Sequence, residues 1–207
     1  VVSNINNLLF DHGFDSLDNW YNIECNCGDI KISNYAYEPY AKFGRKVLRI
    51  QSNNPDCAEN GVFQVTETLP AGHYTFSLYM RAITNLTGYN AGAYIRVTDT
   101  RNRTLAQSEQ IIRADSEFIR LVAPFEISSD QSVKVQIMIN GKGTIYADAA
   151  QLENNEYVNA YNMLINGNFE LCSGWNGNRA YCTTSPRFNM RRSLFITGDL
   201  DENHYAY

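Results

Sequence analysis

The sequence predicts an all-β protein: an antiparallel β-sandwich of the jelly-roll kind, followed by the truncated start of a second, similar unit. Three observations predict it. Period-two alternation of apolar and polar residues dominates the chain, and helical periodicity is hard to find. Turn chemistry interrupts the chain at roughly 8–12-residue intervals, as in a sandwich of many short strands. A block near the start also returns near the end. Asn7-Leu8-Leu9-Phe10-Asp11-His12-Gly13-Phe14-Asp15, with Trp20 six residues after Phe14, is followed by Asn162-Met163-Leu164-Ile165-Asn166-Gly167-Asn168-Phe169-Glu170, with Trp175 six after Phe169. A short apolar strand, a polar turn, an aromatic, a carboxylate and a spaced Trp in one order mark two starts of one module.

Taken in order, strands are expected at 19–24, 28–34, 47–52 and 60–66. The run from Gly72 to Arg81 places Tyr74, Phe76, Leu78 and Met80 on one face and His73, Thr75, Ser77, Tyr79 and Arg81 on the other. Ala93, Ile95 and Val97 alternate with Tyr94, Arg96 and Thr98. Val133, Val135, Ile137 and Ile139 alternate with Lys134, Gln136 and Met138. The segment 104–116 is open between a strand and a short helical turn, and further strands are expected at 117–125 and 143–152. Pro70-Ala71-Gly72 and Asn53-Asn54-Pro55-Asp56 supply turns. Asn140-Gly141-Lys142-Gly143 reads as a hairpin turn between two strong strands. The first unit then covers 1–153, a linker 154–161, and the second unit 162–207, in which Arg192-Ser193-Leu194-Phe195-Ile196 matches Lys46-Val47-Leu48-Arg49-Ile50. That second unit has too few strands to close a sandwich alone, so the first unit, another chain or further sequence is expected to cover it.

Composition narrows the function. A net charge of −5 argues against a nucleic-acid footprint, and no apolar run approaches a membrane-spanning length. Five cysteines, Cys25, Cys27, Cys57, Cys172 and Cys182, lack zinc-site spacing. The cysteines read either as loop-tying disulfides, Cys57 with Cys25 or Cys27 and Cys172 with Cys182, or as free buried thiols. The disulfides would imply an extracytoplasmic setting. His12, His73 and His204 are scattered and pair with no nucleophile motif, so no catalytic residue is assigned. Trp20 and Trp175 read as packing residues.

The motifs carry a resemblance. Asn7-Leu8-Leu9 through Gly13-Phe14-Asp15 with Trp20, Val47-Leu48-Arg49-Ile50, Leu69-Pro70-Ala71-Gly72-His73-Tyr74-Thr75-Phe76-Ser77 and Ile145-Tyr146-Ala147-Asp148-Ala149-Ala150-Gln151-Leu152-Glu153 together resemble carbohydrate-binding modules of families four, nine and twenty-two. The restart after Gln151-Leu152-Glu153 is similar to tandem modules of large secreted bacterial proteins, among them Rhs/YD-repeat surface proteins. The resemblance implies a jelly roll with a structural calcium where the first and last strands meet. Asp15 and Asp148 would be its carboxylates, and backbone carbonyls near Gly13 and Lys46 would complete the shell, since calcium takes six to eight hard oxygens. It also implies a glycan partner held by aromatic faces and polar side chains, without catalysis, in an extracellular or cell-surface bacterial protein alongside other modules of the same polypeptide. The outward rows supply Tyr79, Arg81, Tyr94, Arg96, Lys134 and Gln136 as candidates, treated as one face, with Tyr35, Tyr37, Tyr40 and Tyr89 as a rim. The competing expectation is a structural or adhesive spacer that recognises no sugar.

Overall fold

The structure is a computed structural model and describes residues 7–23, 30–35, 41–44, 46–159, 180–183 and 193–196. The chain divides into two compact units, Val1–Tyr161 and Asn162–Tyr207.

The first unit contains β1 (Tyr21–Asn22), β2 (Ile30–Tyr35), β3 (Val47–Ser52), β4 (Asn60–Val65), β5 (Gly72–Ala82), β6 (Thr87–Asp99), β7 (Thr104–Gln107), β8 (Ile119–Ile127) and β9 (Val133–Glu153). All its pairings between these strands are antiparallel. They form two layers in the order β1-β4-β9-β6-β7 and β2-β3-β9-β5-β8, which β9 joins by contributing to both. This is the expected jelly-roll sandwich. The open segment resolves into the short strand β7 followed by irregular chain tied back at Ala93↔Ile112.

Alternation sets the core. Val62, Ile95, Val97, Val135 and Ile137 of the first layer meet Leu48, Ile50, Tyr74, Phe76, Leu78, Met80 and Ile145 of the second, all buried. Burying a Leu, Ile or Phe side chain is worth about 1.5–3 kcal/mol, so this inner seam dominates stability.

One turn behaves differently from expectation. Asn140-Gly141-Lys142-Gly143 does not close a hairpin: β9 before it pairs with β4 and β6, whereas β9 after it pairs with β3 and β5. A hairpin would leave both apolar halves in one sheet, whereas crossing between layers turns Val135 and Ile137 toward Ile145 and Ala147. Gly141 takes a φ of 78° and Gly143 one of 153°, backbone conformations that side chains disfavour. The Gly141 N–H also donates to the Cys57 carbonyl at 2.6 Å, which anchors the crossover.

The opening motif seals one end of the sandwich. The Leu8 N–H donates to Leu152 O, while the Asn7 side chain donates to Ala150 O and accepts from the Leu152 N–H, continuing the ladder where the chain itself cannot. Phe14 adopts a φ of 55°, costly for a bulky residue. Full burial of its ring, 5.3 Å from Trp20, offsets that cost. The Asp11 carbonyl accepts from the Phe14 N–H and from Trp20 Nε1, so the spacing of aromatic and Trp is a hydrogen-bonding requirement. The Gln64 amide both donates to and accepts from the Phe10 backbone, fastening this segment to β4.

In the second unit β10 (Ala180–Thr183) pairs antiparallel with β11 (Ser193–Ile196), Cys182 opposite Leu194. The strand expected from the match of 192–196 to 46–50 is therefore present. The remainder of the second block, including Glu170, Cys172 and Trp175, lies outside the described residues.

Candidate functional site

The six sugar-binding candidates do not share one face. Tyr94 and Arg96 on β6 and Lys134 and Gln136 on β9 lie on the outer side of the first layer, and Tyr79 and Arg81 on β5 lie on that of the second. The sandwich thus has two candidate surfaces on opposite sides, which corrects the single Tyr79/Tyr94 face. Alternation holds along each strand, but β5 and β6 pair with different halves of β9, on either side of the crossover at 140–143.

On the first layer, register aligns Tyr21, Phe63, Gln136, Arg96 and Gln107 across all five strands. At the usual strand spacing this row is about 19 Å long. Its β1 end is aromatic: Tyr21 is 55% exposed and its ring lies 5.7 Å from that of Phe63. Its other end is polar: Arg96 Nε donates to Gln136 Oε1 at 2.7 Å and its Nη1 to Glu59 Oε1 at 2.8 Å. Beside the row, Lys134 Nζ donates to Asn102 Oδ1 at 2.8 Å and lies 5.6 Å from the centre of the Phe63 ring. Tyr94, though in the outward alternation, is buried over Met138. Burial raises its phenol pKa against the pull of Arg96, and Asn140 bonds the hydroxyl, so it braces the face rather than offering a stacking surface.

On the second layer, register aligns Ser33, Arg49, Tyr146 and Arg81, and the Arg81 guanidinium lies 5.8 Å from the centre of the Phe118 ring on the neighbouring strand's approach. Tyr79 is enclosed by the chain itself. Lys42 Nζ and Arg120 Cζ each lie 5.4 Å from its ring centre and Phe43 meets it edge-on at 5.5 Å. Arg120 is fixed in turn by Ser77 Oγ and Gln151 Oε1. A sugar stacking on Tyr79 would have to displace its own cation–π partners.

The expected calcium site has a different occupation. Asp148 is fully buried; its Oδ2 accepts the Lys42 and Phe43 N–H groups at 2.7 and 2.9 Å and its Oδ1 the Ala149 N–H at 2.7 Å. Burial pushes its carboxyl up to about 6 against those three N–H groups, and the nearby Asp15 charge pushes the same way. The Lys46 ammonium donates to the Asp15 main-chain carbonyl at 2.8 Å, an oxygen outside the expected ligand set. Three N–H groups already aimed at Asp148 do not fit a calcium shell, which needs the lone pairs of that carboxylate. Among the described residues no group of three His, Cys, Asp or Glu side chains gathers as a metal site. Burial also lowers the pKa of His12, against the adjacent Asp11 and Asp15 charges.

Of the rim residues, Tyr89 is 76% exposed near the start of β6. Tyr37, Tyr40 and the side chain of Tyr35 lie outside the described residues, as do Cys25 and Cys27. Cys57 is buried and disulfide-bonded. Sequence reasoning missed Tyr21 and Phe63, although the signal was available: if Trp20 and Val62 point inward, alternation sends their neighbours outward.

No protein-family model and no curated protein matches this chain. Among solved structures it is similar to the CBM22-1 xylan-binding domain from Paenibacillus barcinonensis Xyn10C, at 15% identity and a TM-score of 0.52 over 76% of this chain and 100% of that one. It is likewise similar to TmCBM61 in complex with β-1,4-galactotriose, at 14% identity and a TM-score of 0.52, covering 72% of this chain and 99% of that one. The tandem CBM22-1-CBM22-2 domain from the same Paenibacillus protein matches over 93% of this chain and 60% of that one, at 16% identity and a TM-score of 0.53. At these identities the likeness establishes the fold: an all-β sandwich of the kind found in carbohydrate-binding modules.

Proposed function

We propose that the first unit is a non-catalytic glycan-binding module whose ligand lies across the outer face of the first layer, along Tyr21, Phe63, Gln136, Arg96 and Gln107. The observation that carries this reading is the exposed Tyr21 ring beside the half-buried Phe63 ring, continued across the sheet in one register by the Arg96 guanidinium, which the buried Gln136 amide holds. Apolar ring faces suit the C–H surfaces of a pyranose, and fixed donors and acceptors beside them suit its hydroxyls. The face is preorganised: Arg96 is already held by Gln136 and Glu59, so little side-chain freedom is lost on binding. Support also comes from the fold, which is similar to that of a module described as xylan-binding and of one in complex with β-1,4-galactotriose.

The disulfide at Cys57 supports an oxidising, extracytoplasmic location, in keeping with a secreted or surface protein carrying several such modules. A spacer reading draws on the second layer, where Tyr79 is enclosed by Lys42, Phe43 and Arg120. Calorimetric titration of the whole chain with soluble xylan and β-1,4-galactan oligosaccharides separates the two. Saturable binding lost in Tyr21→Ala supports the module. No heat with either polymer, nor with a wider glycan array, leaves the spacer.

A further inference from the structure

The first-layer face also contains a charge that no carboxylate among the described residues answers. Arg96 is met by Glu59 and Arg103 by the buried Asp99, whose Oδ2 accepts its Nε at 2.6 Å. The Lys134 ammonium, by contrast, has only neutral partners among the described residues, the Asn102 amide oxygen and the Phe63 ring. Asn102 is set there by a built turn. It adopts a φ of 64°, its N–H donates to Asp99 O, and Asp99 Oδ1 takes the Arg101 and Arg103 N–H groups. Thr98 lies directly across from Lys134, and its Oγ1 is buried with no hydrogen-bond partner among the described residues. A pinned ammonium, a pinned amide and an unanswered hydroxyl thus gather one step from the Tyr21–Gln107 row, in a chain whose net charge is −5.

We infer that this corner is a subsite for an acidic sugar: a uronate carboxylate carried by the glycan on the row. The inference rests on the proposed glycan-binding reading and names its ligand class. A carboxylate is planar with two oxygens, which suits the two fixed donors, Lys134 Nζ and Asn102 Nδ2; its charge meets an ammonium that no carboxylate among the described residues pairs with. Ring stacking on Tyr21 and Phe63 places the sugar, and Lys134 selects its substituent. The Lys134 ammonium is held by Asn102 Oδ1 beside the Phe63 ring, so it is preset and a charge-assisted bond forms at little entropic cost.

The test compares a glucuronic-acid-bearing xylan with the same xylan after carboxyl reduction, titrated against the intact chain at low and high salt. The acidic polymer is expected to bind about tenfold more tightly, as one charge-assisted hydrogen bond allows, with the advantage shrinking as salt rises. Lys134→Gln should erase the difference between the two polymers. Asn102→Gly, which keeps the turn conformation, should reduce the advantage in part. Equal affinity for the two polymers, or an advantage that survives Lys134→Gln, overturns the subsite and leaves the glycan-binding reading intact. Binding of neither polymer overturns both.

Discussion

The two outer faces of the sandwich are built from the same kinds of residue and do opposite things with them. On the first layer the aromatics Tyr21 and Phe63 reach solvent at one edge, while the nearby cations stand beside or beyond them. On the second layer the cations lie over the rings: Lys42 and Arg120 over Tyr79, Arg81 over Phe118. An aromatic ring has two faces to offer. Once its own chain fills them, it contributes to stability and has little left for a ligand. The difference originates in one loop, because the Asp148 carboxylate holds the Lys42 and Phe43 backbone and so brings both residues onto Tyr79.

The strongest way to break this comparison is to remove the open aromatics. Tyr21→Ala with Phe63→Ala should weaken glycan binding about 100-fold, as for two central contact residues, with an unchanged unfolding transition. Tyr79→Ala should leave affinity within about twofold, and a loss as large as that of the first-layer variant would reverse the roles of the faces.

Next in size is the anchor beneath the closed face. Asp148→Asn removes at least one of the carboxylate's acceptor contacts with three N–H donors, which should cost about 1–3 kcal/mol in denaturant unfolding. It should also alter the pH dependence. The folded Asp148 carboxyl titrates at about 6, above the ordinary 3.8 of an aspartate, because it is buried. Protonation therefore favours the fold: this contribution is greatest below pH 4, declines as pH rises to about 6 and then levels off, at most about 3 kcal/mol in all. Asp148→Asn should flatten that slope relative to the parent, and parallel pH profiles would show that the carboxyl is not titrating in this window.

The smallest expected effect concerns the ion. An ion binding the folded state at 1,000 times its Kd would add about 4 kcal/mol. With three N–H groups on the Asp148 carboxylate, adding calcium or a chelator should leave Tm unchanged. A calcium-dependent rise of several degrees would show that this corner rearranges around the ion.

Much of this was legible in the chain. Alternation around Tyr74, Phe76, Leu78, Val135 and Ile137 identified core residues that are all buried. The recurring opening block identified a structural seal, since the Asp11 carbonyl needs Phe14 and Trp20 at fixed spacing. The site was legible only as faces of single strands. Nothing local distinguishes Gly141 in a hairpin from Gly141 in a crossover, and that choice put Tyr79 and Tyr94 on opposite sides. Nor does alternation tell an outward residue from an exposed one, as the burial of Tyr94 and Met138 shows.

By itself, the sequence determined which residues face inward, because water rejects apolar side chains at a period the strand imposes. It also determined the turns, through glycines at positive φ. Only the tertiary structure decided which strands became neighbours, and hence that Tyr21, Phe63, Gln136, Arg96 and Gln107 form one row. It also decided which rings their own cations would cover, because both outcomes depend on contacts between residues far apart in the chain, for which strand periodicity contains no signal.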